Sequence, residues 1–214
     1  MFGLGLSNLP YILLVVIPVG VMAVTVHEVA HGYAAYRLGD PTAANEGRLT
    51  LNPIRHIDPI GALMIVLIGF GWARPVPVNP YYFRKPMKGM MWVALAGPAA
   101  NLVLAIACAL MLRGVLFLPG DVVQLLFRFF QFGIIINVVL AAFNMIPVPP
   151  LDGSRVVAYL LPHNLSEKYQ EIERLGFLPI VVVIFVLPWA TNGRLDIVRT
   201  VSRAALTLFY AVMF

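Results

Sequence analysis

The stretch TVHEVAHGYAA, residues 25–35, places two histidines and a glutamate inside a run that otherwise reads as membrane-buried helix. His27 and His31 stand four apart, so on a helix both rings lie on one face, a turn from each other. Two imidazoles so placed can share one zinc ion, and Glu28 between them can serve as general base toward water, the H-E-x-x-H arrangement. On a water-soluble helix the same residues could simply form a solvated face. Within a bilayer that explanation fails, because ionisable groups there are costly unless something compensates them.

Composition says that the bilayer is the right setting. The 214 residues are 60% hydrophobic and only 12% charged, with a mean hydropathy of +0.86. Such a chain cannot hide its apolar surface in one water-soluble core and reads as an integral membrane protein. The first run, MFGLGLSNLPYILLVVIP, has no basic leading segment and no small-residue cleavage site, so it is expected to be retained rather than removed as a signal peptide. The formal net charge of +5 is scattered among apolar spans and forms no dense basic run. It points to topology and anionic lipid rather than to nucleic acid. The single cysteine, Cys108, excludes an intrachain disulfide framework.

The expected fold is an all-α polytopic helical bundle in a single domain, residues 1–214, with a small extended or β-hairpin-like element that is re-entrant or cytoplasmic. Four apolar stretches, about 9–37, 88–112, 122–146 and 172–191, are each about long enough to cross ~30 Å of hydrocarbon. A further one, 196–214, carries Arg199 and Arg203 and reads as either a span or an amphipathic interfacial helix. The piece PIGALMIVLIGFGW (59–72) is short and glycine-rich, which favours re-entry over crossing. Basic residues set the orientation. The 37–88 connection holds Arg37, Arg48, Arg55, Arg74, Arg84, Lys85 and Lys88, whereas 113–121 holds only Arg113. The positive-inside bias places 37–88 in the cytoplasm and the N-terminus outside. Within that connection GRLTLNP (47–53) alternates like a strand. ARPVPVNP (73–80) is held extended by prolines and is either an edge strand able to hold a substrate backbone or a rigid connection.

Two histidines leave a hydrolytic zinc one protein ligand short. The remaining histidines are His56 and His163, and among the carboxylates Asp152 stands out, because it follows a long apolar span in FNMIPVPPLDGSR (143–155). Prolines end the helix there, and Gly153 permits a close backbone approach. An Asp-Gly pair taken alone reads first as an ordinary turn.

HEVAH in the first span, AGPAAN (96–101) in a later one and NMIPVPPLDG (144–153) after another together resemble the site-2 protease family (peptidase M50) of intramembrane zinc metalloproteases. The segments GRLTLNPIRHIDPIG and GWARPVPVNP are similar to those of its compact bacterial and archaeal branch, which lacks a PDZ domain. The resemblance runs from about residue 20 to 160 and implies one catalytic Zn²⁺ held by His27, His31 and Asp152, with Glu28 activating water. It also implies that Asn144 engages substrate near the scissile peptide, where an amide can donate to an oxyanion; its alternative role is to stabilise the interrupted helix near Pro147. AGPAAN offers no ligand, so its small residues are expected to serve close helix packing, with Asn101 bonding a neighbouring helix. His56 with Asp58 reads as a structural pair, and Arg128 as a snorkelling or internally paired side chain.

The activity this implies is zinc-dependent endopeptidase cleavage within or near transmembrane segments of membrane-protein substrates, in a multi-pass protein of a prokaryotic plasma membrane with its site toward the cytoplasm. An intramembrane metal or ion transporter and a catalytically silent membrane adaptor are the alternatives. The sequence encodes no substrate identity and no oligomeric state.

Overall fold

The computed structural model describes residues 9–68, 71–115, 120 and 122–214. The readings made for residues 1–8, and parts of those for 59–72 and 113–121, lie outside the described residues. Three helices are long and apolar enough to cross a membrane: α1 (Leu9–Arg37), α3 (Pro86–Val115) and α4 (Val122–Asn144). Between the first two lies α2 (Pro59–Ile68). Four more follow: α5 (Asp152–Leu160), α6 (His163–Leu175), α7 (Leu178–Ala190) and α8 (Ile197–Met213). No strand forms among the described residues; the one isolated β-bridge pairs Ile57 with Ala73.

Prolines set the irregularities. In α1 a π-turn over Ile12–Val16 lies just before Pro18, and in α7 another over Val182–Val186 lies just before Pro188. A proline ring crowds the carbonyl four residues back and withholds its N–H, and widening the preceding turn relieves both. The α3–α4 contact is close because Gly133 of α4 faces Cys108 of α3; a Cβ there would lie 2.7 Å from the sulfur. Ala105, Cys108, Ala109 and Leu112 of α3 pack with Ile134 and Val138 of α4, and one face of α8 (Ala205, Leu206, Phe209 and Tyr210) closes this core. Helix α8 therefore lies against the spans with Arg199 and Arg203 on its exposed side, and it is not among the three helices of membrane-crossing length.

Two expectations are corrected. A continuous span over 172–191 does not form. The chain is 3₁₀ over Ile172–Leu175, turns at Gly176 with φ +58°, and α6 and α7 are bent by 81°. At most the bent pair counts as a fourth, broken span. Secondly, GRLTLNP is not a strand. The Arg48 guanidinium donates to the carbonyl oxygens of Arg74 (2.7 Å) and Pro75 (3.2 Å), and the Asn52 side chain caps a 3₁₀ turn at Pro53–Arg55. Side chains thus take up the backbone groups that a ladder would have used.

The 73–79 segment is extended and runs alongside α1. Its Val76 side chain, with that of Leu49, sits against Gly32, where an added Cβ would lie 2.8 Å and 2.7 Å from them. The segment is pinned at its far end by Asp40, which is fully buried and accepts from the N–H of Asn79 at 2.7 Å and from the N–H of Thr42 at 2.9 Å. At its near end the N–H of Arg74 donates to the carbonyl of His56 at 2.8 Å. This contact and the Ile57–Ala73 bridge bring the two ends of the α2 loop together, so the loop leaves and returns at one level. Ten residues of helix reach only ~15 Å, about half the hydrocarbon thickness.

Candidate metal centre

Helices α1 and α3 run antiparallel, and each presents residues four apart to the other. On α1 these are His27 and His31; on α3 they are Val93, Gly97 and Asn101. His31 Nδ1 donates to the Val93 carbonyl at 2.7 Å, and His27 Nδ1 lies 2.6 Å from Asn101 Oδ1. Gly97, between these partners, lies directly under the rings. A Cβ built on it would be 2.5 Å from His31 Cε1 and Nε2 and 2.6 Å from His27 Cε1.

These contacts decide the tautomers. A carbonyl can only accept, so His31 carries its proton on Nδ1. The Asn101 amide is oriented by its own donors, since Nδ2 gives to the carbonyl of Ala23 (3.1 Å) and to Asn137 Oδ1 (2.7 Å), turning Oδ1 toward His27. Asn137 is held in turn by donating to the Gly133 carbonyl at 2.9 Å. In the neutral rings both Nε2 atoms are therefore bare electron pairs.

Those two nitrogens converge, 2.9 Å apart, on a third acceptor. Asp152 Oδ2 lies 3.2 Å from His27 Nε2 and 3.4 Å from His31 Nε2. It is buried and receives no hydrogen bond. Asp152 stands at the first turn of α5, where the helix dipole favours a carboxylate. The 145–151 turn that delivers it packs through Ile146 and Leu151 on Ile180 of α7. Gly153 is required by the fold-back, because a Cβ there would run into the Met145 carbonyl. Three acceptors facing one another in a buried space repel unless a cation lies between them, and an N₂O donor set of this kind suits zinc. The ligand atoms all lie within 4.8 Å of one another.

The chemistry of the donor set thus asks for a divalent ion, and similarity to known proteins supplies its identity. The family model described as Peptidase family M50 matches residues 115–187. "Putative zinc metalloprotease YwhC" of Bacillus subtilis (strain 168) is 40% identical over 213 residues, covering 97% of this chain and 94% of that protein. The chain belongs to peptidase family M50. "Putative zinc metalloprotease Rip2" of Mycolicibacterium smegmatis is 31% identical over 187 residues, 83% of this chain and 68% of that protein. "Putative zinc metalloprotease MJ0611" of Methanocaldococcus jannaschii is 34% identical over 102 residues, 47% of this chain and 50% of that protein. No solved structure matches. This M50 peptidase is accordingly a multi-pass membrane zinc metalloprotease.

The other residues singled out by sequence fall as follows. Glu28 is half-buried beside the trio, and its Oε2 accepts from the Val76 N–H at 3.0 Å. One N–H of the Asn144 amide donates to the Leu140 carbonyl at 3.0 Å, a contact within its own helix that leaves the second N–H without a partner among the described residues. His56 Nε2 bonds the Thr50 carbonyl at 2.8 Å and Asp58 caps the Gly61 N–H at 2.8 Å; both are structural and they are not partners of each other. Asn101 does bond α1, as expected, at the Ala23 carbonyl and at the ring of His27. The contact of Gly97 and Asn101 with the two histidine rings, and the support of Asn101 by Asn137, were missed, although the spacing Val93, Gly97, Asn101 mirrors that of His27 and His31. In this M50 peptidase, Asn101→Leu is expected to weaken zinc binding by about 10–100-fold, read by competition against a chromophoric chelator with the protein still monodisperse in detergent.

Proposed function

We propose that this M50 zinc metalloprotease is an intramembrane endopeptidase that hydrolyses peptide bonds within or near transmembrane segments of other membrane proteins. The observation that carries the reading is the placement of His27 and His31 on a helix of membrane-crossing length, buried against a second such helix, with Asp152 brought to them just beyond the end of a third. Helices α1 and α4 both reach the site with their C-terminal ends. With residues 37–88 inside by their basic excess, the site opens toward the cytoplasm of a prokaryotic cell membrane.

In this reading His27, His31 and Asp152 hold the zinc, and Glu28 is the general base. Zinc when bound supplies Lewis acidity, polarising the scissile carbonyl and making water acidic enough to attack near neutral pH. Glu28 takes the proton from that water on a carboxylate oxygen and returns it to the departing amine nitrogen. Asn101 and the Val93 carbonyl keep each ring's Nε2 directed inward. A substrate helix must unwind locally, because its backbone groups are otherwise paired, so sequences with helix-destabilising residues are the expected substrates. The extended 73–79 segment lies beside Glu28, and the few groups it leaves open, the Val78 N–H and the carbonyls of Val76, Pro77 and Val78, can pair with a short stretch of the unwound backbone.

The test uses the full chain reconstituted in liposomes with a single-span substrate, product masses, and zinc quantified. Cleavage within or beside the span, abolished by chelation and restored by zinc, is the expected outcome. Zinc flux across the vesicle wall with no cut in any of several substrates would replace this reading with the transporter. One bound equivalent with neither flux nor cleavage would leave the silent adaptor.

A further inference from the structure

A groove with three polar side chains in an otherwise apolar lining lies at the other end of the bundle. It runs between the first turns of α1 and the start of α4, with a volume of about 270 Å³, and is lined by Pro10, Tyr11, Leu14, Gln124, Leu125 and Arg128. Arg128 sits six residues into α4, ~9 Å along the helix from its first residue. Its guanidinium on a long stem can reach back toward the headgroup level of that leaflet. The metal trio lies at the opposite ends of the same two helices.

The side chains of Arg128, Gln124 and Tyr11 make no hydrogen bond or ion pair among the described residues. The other basic side chain near this end, Arg113, is engaged: it donates to the Met213 carbonyl and lies over the Phe214 ring, 5.2 Å from its centroid. A charged group on an apolar membrane helix is costly without a partner, and here the described residues supply none. We propose that the groove binds an anionic phospholipid of the leaflet opposite the metal site. Arg128 pairs with the phosphodiester, the Gln124 amide and Tyr11 hydroxyl add donors, and an acyl chain lies along Pro10, Leu14 and Leu125. Anionic lipid is favoured over zwitterionic because Arg128 brings an unpaired positive charge and the described lining residues include no carboxylate to receive a choline or ethanolamine cation. The site is independent of the peptidase chemistry.

Native mass spectrometry of the delipidated full chain, titrated with phosphatidylglycerol and with phosphatidylcholine, tests it. Wild type is expected to hold one phosphatidylglycerol in preference to phosphatidylcholine. Arg128→Gln is expected to bind it about tenfold more weakly, a change of about 1.4 kcal/mol. Arg128→Lys keeps the charge and most of the binding, Gln124→Leu loses part of it, and Arg113→Gln leaves it unchanged. Should Arg128→Gln not purify, the order of the Lys and Leu variants and the wild-type lipid preference decide the matter equally well. Equal affinity for the two lipids, or phosphatidylglycerol binding indifferent to residue 128, overturns the proposal. So does competition for the groove by a single-span peptide with an acidic flank where phosphatidylglycerol fails to compete, which would make it a protein-docking site.

Discussion

Glu28→Gln is expected to bind one equivalent of zinc with near wild-type affinity and to cleave a membrane substrate about two to four orders of magnitude more slowly. The amide has the shape of the carboxylate, and its oxygen can still accept the Val76 N–H that Oε2 receives at 3.0 Å. The side chain therefore stays where it is, and none of the contacts to His27, His31 or Asp152 is altered. What disappears is the ability to take a proton at pH 7. Measuring zinc by metal analysis and cleavage by product mass on one preparation separates the two properties. A variant that still cut at the wild-type rate would move the base to another residue, and one that lost its zinc would show Glu28 to be a structural support of the ligand set.

Gly97→Ala is expected to abolish stoichiometric zinc binding, and activity with it, although alanine is the better helix former. The new methyl would lie 2.5 Å from His31 Cε1 and Nε2 and 2.6 Å from His27 Cε1. The rings cannot yield independently, because each is tied through Nδ1 to the same helix, at Val93 and at Asn101. Relief requires either breaking those bonds or parting α1 from α3, and both carry the Nε2 atoms away from Asp152. Gly114→Ala is the matched control: it lies on the same helix, with nothing within 4 Å of its would-be Cβ. Its zinc content should equal wild type. Full zinc occupancy in Gly97→Ala would show that α1 and α3 separate easily, contrary to their close packing at this glycine.

What the sequence made legible was whatever hydropathy and helical spacing encode. Three spans, the His27–His31 face and the candidacy of Asp152 after an apolar run all follow from period and punctuation. The broken 172–191 segment did not, because hydropathy averages over Gly176 without registering its left-handed turn. The strand expected at 47–53 failed for a different reason: alternation was real, but Arg48 and Asn52 claimed the backbone groups of the region. That Asn101 would bond a neighbouring helix was legible, but its meeting with the His27 ring and its support by Asn137 were not, because both are made across helices. Nothing in the order of residues along α3 says which ring of α1 an amide will meet until the register of the two helices is known.

The extended segment beside Glu28 sets a limit on what can be read from a bound chain. Between Arg74 and Asn79, two positions are prolines, and the N–H groups of Arg74, Val76 and Asn79 are engaged by His56, Glu28 and Asp40. The carbonyls of Arg74 and Pro75 are held by Arg48. Val78 alone among these residues keeps an uncommitted N–H, and the carbonyls of Val76, Pro77 and Val78 accept no hydrogen bond among the described residues. If a substrate backbone pairs here as proposed, a template with so few open positions would carry almost no alphabet. Discrimination among partners would then fall to how readily each one's own helix comes apart, a property of the visitor rather than of the host.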